Sequence, residues 1–160
     1  MTRLGAAKVG PFLRQQTEEL TRIWRLARAS ARPEVFPGLI DDLVPHFFDR
    51  AGELLVAGAA PEEVWRGLAG LVRWATALAP GELTQEWAVL VEVLSATCET
   101  VNADPAVAGW LTRAAAACEA GTIALSGGQG ERPEGIVIAL VFSALTPRQP
   151  RTEKEGETAG

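Results

Sequence analysis

The chain has 160 residues, 48% of them hydrophobic and 22% charged, and a formal net charge of −5. It is long enough for one sizeable core, too apolar for a disordered chain, and too acidic overall to favour binding that works by neutralising phosphates. Twenty-seven alanines, thirteen arginines against two lysines and no tyrosine point to a GC-rich bacterial coding bias, which carries no mechanism.

Residues 1–9 hold no unbroken apolar stretch of signal-peptide length and are expected to fray. A first helix is predicted over 11–31, with Leu13, Leu20, Trp24 and Ala27 on one stripe. Arg32-Pro33 ends it, because the residue before a proline avoids helical backbone angles. The charge is unevenly laid out: residues 1–32 hold seven basic and two acidic side chains, whereas 33–125 hold four basic and thirteen acidic. The simplest account is that the basic first helix lies on an acidic surface of its own molecule or of a dimer mate, with Arg22 and Arg25 as candidate contact residues. No helix-turn-helix pattern accompanies the arginines, so nucleic acid is not the expected partner.

A second helical block covers 38–57. Pro45 inside it would remove a hydrogen bond at a cost of about 3 kcal/mol, so it is expected to open the main helix after a turn or kinked segment at 39–44. His46, the single histidine, stands beside Phe47 and Phe48. It is a weak candidate haem ligand, and the simpler reading is a histidine at the edge of an apolar stripe. The third helix is predicted from Glu62 to about residue 78, with Glu62 and Glu63 at the positive end of its dipole. Trp74 falls off the stripe set by Leu68, Leu71, Val72 and Ala75, which makes it a candidate for a groove or a partner surface. Pro80 and Gly81 are expected to break the pattern before a fourth helix over 83–101. Asn102-Ala103-Asp104-Pro105 reads as a stop, an N-cap and a first helical proline, and a fifth helix follows to residue 121 or 125. Links of two to six residues favour antiparallel neighbours, hence an all-α, up-down bundle of four to five helices.

The bundle domain is expected to end at residue 125. Residues 126–160 form a second region: a glycine-rich linker, an apolar run over 136–145 and a charged, proline-containing tail expected to be disordered. The β-branched run could add to another sheet, pair with its own copy across a dimer, or pack on the bundle as a short helix. A short extended segment is the preferred reading, and Val137, Val141 and Phe142 are its candidate contact residues. Ten helical residues rise about 15 Å, half a bilayer core, so no membrane span is expected and the protein is read as cytoplasmic. Cys98 and Cys118 have no zinc-like spacing and should lie about 12 Å apart along a helical hairpin, too far for a disulfide.

No catalytic constellation emerges. Adjacent acids such as Asp41-Asp42 and Glu62-Glu63 point about 100 degrees apart on a helix and cannot clamp one metal. One histidine excludes the paired Glu-x-x-His of di-iron bundles, and no serine sits in a nucleophile elbow. Gly127 to Gly130 lacks the lysine and hydroxyl residue of a phosphate loop.

Arg22-Ile23-Trp24, Leu43-Val44-Pro45 leading into Phe48, and Arg73 thirteen residues before Glu86-Trp87-Ala88-Val89-Leu90 carry a resemblance over residues 20–119. The stretch resembles the helical N-terminal sensory domain, often named RsbRD, of RsbR-type bacterial stress regulators and related histidine kinases. The resemblance implies a globin-related or four-to-five-helix bundle without haem, dimeric, that receives a signal and biases a protein partner. The expectation is therefore a non-enzymatic regulatory or sensory domain with no cofactor, acting by homodimerisation and protein contact. The alternative is a small-molecule or haem-binding pocket around His46, Phe47 and Phe48.

Overall fold

The computed structural model describes residues 2–31, 40–72 and 80–126. These fold into six helices: α1 (Ala6–Gln15), α2 (Thr17–Ala31), α3 (Val44–Ala57), α4 (Glu62–Ala69), α5 (Pro80–Thr100) and α6 (Pro105–Leu125). No strand occurs among the described residues, so the chain is an all-α helical bundle, as the periodicity predicts. Residues 127–160, including Val137, Val141 and Phe142, and residues 73–79, including Trp74, lie outside the described residues.

The predicted first helix is two helices. The backbone breaks at Gln16 (φ −102°, ψ 18°), and the Thr17 hydroxyl donates to the carbonyls of Leu13 at 2.9 Å and Arg14 at 3.0 Å. The apolar stripe runs through the break unchanged, because Leu13 and Leu20 are two helical turns apart; period alone does not reveal it. The two pieces serve different sets of neighbours. α1 packs on α3, whereas α2 divides its contacts between α5 and α3.

The start of the chain also departs from expectation. α1 begins at Ala6, five residues earlier than predicted, and Pro11 lies inside it. Residues before it are held instead of frayed: the Leu4 amide donates to Asn102 O at 2.8 Å, the Asp104 amide donates to Leu4 O at 2.8 Å, and Asn102 Nδ2 reaches Thr2 O at 3.1 Å. This clasp joins the first residues to the turn between α5 and α6.

α3 starts at Val44 with Pro45 in its first turn, where a missing amide costs nothing. It ends in a Schellman motif at Gly58 (φ 74°), with the Ala59 amide on Leu54 O at 3.1 Å and the Gly58 amide on Leu55 O at 3.3 Å. α4 is shorter than predicted, stopping at Gly70, after which the Leu71 amide turns back to Leu68 O at 2.8 Å. Pro80 and Gly81, expected to lie in the link before the fourth helix, instead open it as α5, proline being tolerated at the first helical position. The α5–α6 reversal is a second Schellman motif. Asn102 takes the left-handed conformation (φ 57°), and the Ala103 amide bonds Cys98 O at 2.8 Å.

Helix contacts are set by small residues against large ones. α1 and α3 cross at Gly10 and Gly52, where a Cβ on Gly52 would stand 2.5 Å from the Gly10 carbonyl oxygen. α4 packs on α6 by laying the Trp65 ring over Gly121, leaving no room for a Cβ there. The deepest core holds Trp24, Phe47, Phe48 and Trp87, all fully buried, with Phe47 edge-on to Phe48 at 5.9 Å and to Trp87 at 6.2 Å between centroids. Full burial of a side chain of this size contributes about 1.5–3 kcal/mol or more, so this cluster anchors the bundle.

Each buried indole also finds a polar partner. Trp87 Nε1 donates to Thr122 Oγ1 at 2.9 Å, and that hydroxyl donates in turn to Glu119 O at 3.0 Å. Trp110 Nε1 donates to Ala59 O at 2.8 Å, tying α6 to the α3–α4 link, and Trp24 Nε1 donates to Glu86 O at 3.4 Å. Without these acceptors each buried N–H would lose its water at a cost of about 1–3 kcal/mol.

Candidate functional site: the groove between α2 and α5

α2 carries more large apolar residues than one buried stripe needs. Leu20 and Trp24 of α2 point inward, whereas Ile23 is 38% and Leu26 58% exposed. On α5, Leu83, Trp87, Leu90 and Leu94 fill the core, while Glu92, Ser95, Ala96, Glu99 and Thr100 face outward. Between the outer rows runs an open groove of about 430 Å³. One wall is formed by Phe12, Gln16, Glu19, Leu20, Ile23 and Ala27, and the other by Glu92, Val93, Ala96, Thr97, Thr100 and Val101.

The groove is chemically quiet. Thr97 Oγ1 donates to Val93 O and Thr100 Oγ1 to Ala96 O, both at 2.8 Å, so both hydroxyls are committed to their own helix. Charge is confined to glutamates: Glu19, whose carboxylate accepts from Arg22, and exposed Glu92. The hydrogen bond from Arg22 holds the Glu19 carboxyl below its ordinary range and raises the guanidinium in return. This surface suits an apolar side-chain stripe and offers no acid–base pair or nucleophile.

Two other concavities are more polar. A cleft of about 580 Å³ lies between α1 and α3, where Arg14, Asp49 and Glu53 surround Val56 and Gly52. The other, of about 420 Å³, sits beside the α5–α6 turn and includes Arg3, Glu99 and Asn102.

The residues singled out from sequence are not brought together. Arg22 is exposed and paired with Glu19 one turn back. Arg25 reaches Asp41 with two bonds, Nε to Oδ1 at 2.9 Å and Nη2 to Oδ2 at 3.1 Å, and so pins α2 to the turn before α3. That hydrogen bond, against partial desolvation, raises the Arg25 pKa. With Arg14 on Asp49 at 3.1 Å, the basic first segment lies on acids of its own molecule, one of the two placements the charge layout allows. Arg28 is 1% exposed, its guanidinium 6.0 Å from the Trp24 ring centroid.

His46 is exposed on α3, whereas its neighbours Phe47 and Phe48 are fully buried. The three therefore do not line one pocket, and the haem geometry imagined around them is not formed. Glu63 pairs with Arg66 at 2.9 Å, and among the described residues no group of three histidine, cysteine or acidic side chains is placed to hold a metal ion. Cys98 and Cys118 are buried free thiols, as their predicted offset requires.

Sequence reasoning missed the groove. Its signal was present in Ile23, which lies beside the Leu20, Trp24, Ala27 stripe rather than on it. The chain matches no protein-family model, no curated protein and no solved structure. Among the described residues no helix is long and apolar enough to cross a membrane.

Proposed function

We propose that this chain is a non-enzymatic regulatory domain of the sensory type, which dimerises through its helices and works by protein contact. The observation that carries the reading is the α2–α5 groove, apolar along its walls, with Ile23 on one of them and Leu26 one turn further along α2. Contiguous exposed apolar surface of this kind marks interaction sites in proteins that carry no other chemistry there. The resemblance of residues 20–119 to RsbRD-type domains agrees with a dimeric, signal-receiving role in a bacterial cytoplasm. Of the residues behind it, Trp24, Val44, Phe48, Trp87 and Leu90 are core and Ile23 is surface.

Light scattering on the full chain over a wide concentration range tests the dimer. The native protein is expected to pass from monomer to dimer as its concentration rises, and the Ile23→Glu/Leu26→Glu variant to stay monomeric with its melting transition nearly unchanged, since exposed substitutions shift stability by about 0.5 kcal/mol or less. A native protein that stays monomeric at the highest concentration ends the dimer reading.

A further inference from the structure

We infer that the α2–α5 groove has a resting occupant within the chain itself, the apolar run at residues 136–145, and that a protein partner reaches the groove by displacing it. The inference rests on the groove being the contact site proposed above and adds how access to it is controlled.

The run reads IVIALVFSAL, ten residues without a charge. The groove offers the matching surface, with no charge except at Glu19 and Glu92 and with its threonine hydroxyls already bonded. Length agrees as well. Nine helical steps separate Glu92 from Val101, about 14 Å, and ten residues wound as a helix span about 15 Å. Extended, the same ten would run about 33 Å and overshoot both ends.

The tether also reaches. Trp87 and Thr122 are bonded across the antiparallel α5–α6 pair, so Ser126, one turn beyond Thr122, stands level with the start of α5 near Leu83. From that level the near end of the groove, at Glu92, is about 14 Å along the axis, and passing around the helix adds about 10 Å. Residues 127–135 supply nine links, able to span about 30 Å at full stretch, and four of the nine are glycine. The run would thus enter at Glu92 and leave past Val101. Just beyond it the sequence places Arg148 and Arg151, and exposed Glu99 lies at that end of α5 to receive them. A tether of this length holds its segment at an effective concentration of about millimolar, so a weak fit suffices to occupy the groove.

Cysteine pairs in the full-length chain decide the matter. Ala96→Cys places a thiol on an exposed groove position and Val141→Cys one on the run; Arg113→Cys, on exposed α6 surface, serves as the control partner. Under mild oxidation, with products mapped by peptide mass spectrometry, the 96–141 pair is expected to close within one chain. Its rate should be unchanged on dilution and roughly tenfold or more above that of the 113–141 pair, and adding Ile23→Glu should abolish the difference. Circular dichroism confirms that each variant keeps its helix content. Equal rates for the two pairs overturn the inference. Cross-links found only between chains, with a rate that rises with concentration, also overturn it while leaving the dimer reading in place; intramolecular closure in a strictly monomeric protein does the reverse.

Discussion

Cys118 illustrates how a single side chain reports the core. It is fully buried on α6, and desolvation pushes its thiol from 9.0 up to about 12; burial also raises Cys98. A raised thiol pKa penalises the native state, and does so only where the unfolded chain would ionise. Stability is therefore constant below about pH 9 and is lost between 9 and 12, with the folding constant falling about tenfold per pH unit for this one group. Denaturant titrations across that window are expected to show the slope, and Cys118→Ala to flatten it whatever its own cost in packing. Native-state labelling with a thiol reagent at neutral pH should be slow for Cys118 and become fast only in denaturant. A rapidly modified native Cys118 would mean that the α6 core opens far more easily than its packing implies.

At the scale of helices, glycines separate three kinds of constraint. Gly52 closes the α1–α3 crossing, Gly58 supplies the left-handed end of α3, and Gly109 lies in α6 with open space around its missing side chain. Gly109→Ala should therefore stabilise the protein by about 0.5–1 kcal/mol through helix propensity alone. The same substitution at Gly52 gains that propensity but drives a Cβ toward the Gly10 carbonyl and the Arg14 side chain, and overpacking of this kind costs about 1–3 kcal/mol. Thermal melts of the two variants should move in opposite directions.

These elements also show what the sequence made legible. α3 and α6 were readable because proline and glycine punctuate them at positions with one physical meaning: Pro45 and Pro105 in first turns and Gly58 at a left-handed end. The break at Gln16 was not readable, because it preserves the apolar period. Pro80-Gly81 misled for another reason: the pair fits a link and a helix start equally well, and tertiary packing chooses. The groove was hidden because its walls come from segments about seventy residues apart. Only Ile23, an apolar residue in excess of one stripe, hinted at it.

For the whole molecule, the charge pattern turns out to be internal furniture more than an external signal. Arg14–Asp49 and Arg25–Asp41 bind the basic first segment to the acidic body, while Arg22–Glu19 and Arg50–Glu53 each pair within one helix, and most of these side chains are about half exposed. Exposed pairs contribute about 0–1 kcal/mol each and are screened by salt. Raising the ionic strength to near-molar sodium chloride should consequently change the unfolding free energy by no more than about 1–2 kcal/mol, as read from denaturant melts. A steep loss would mean that electrostatics, and not the tryptophan and phenylalanine core, holds the bundle together.

The clasp between Leu4 and the Asn102–Asp104 turn bears on the order in which the chain assembles. Its amides close a loop of about a hundred residues, and the entropy of closing a loop grows with its length. Pairs such as α5 with α6, joined by a four-residue turn, meet at little such cost and can form early. The clasp must wait until the intervening helices have brought the two ends of the loop together, so it acts as a final latch. A nascent chain has made its first residues long before their seat exists, and they stay unseated until the turn at residue 102 has been synthesised.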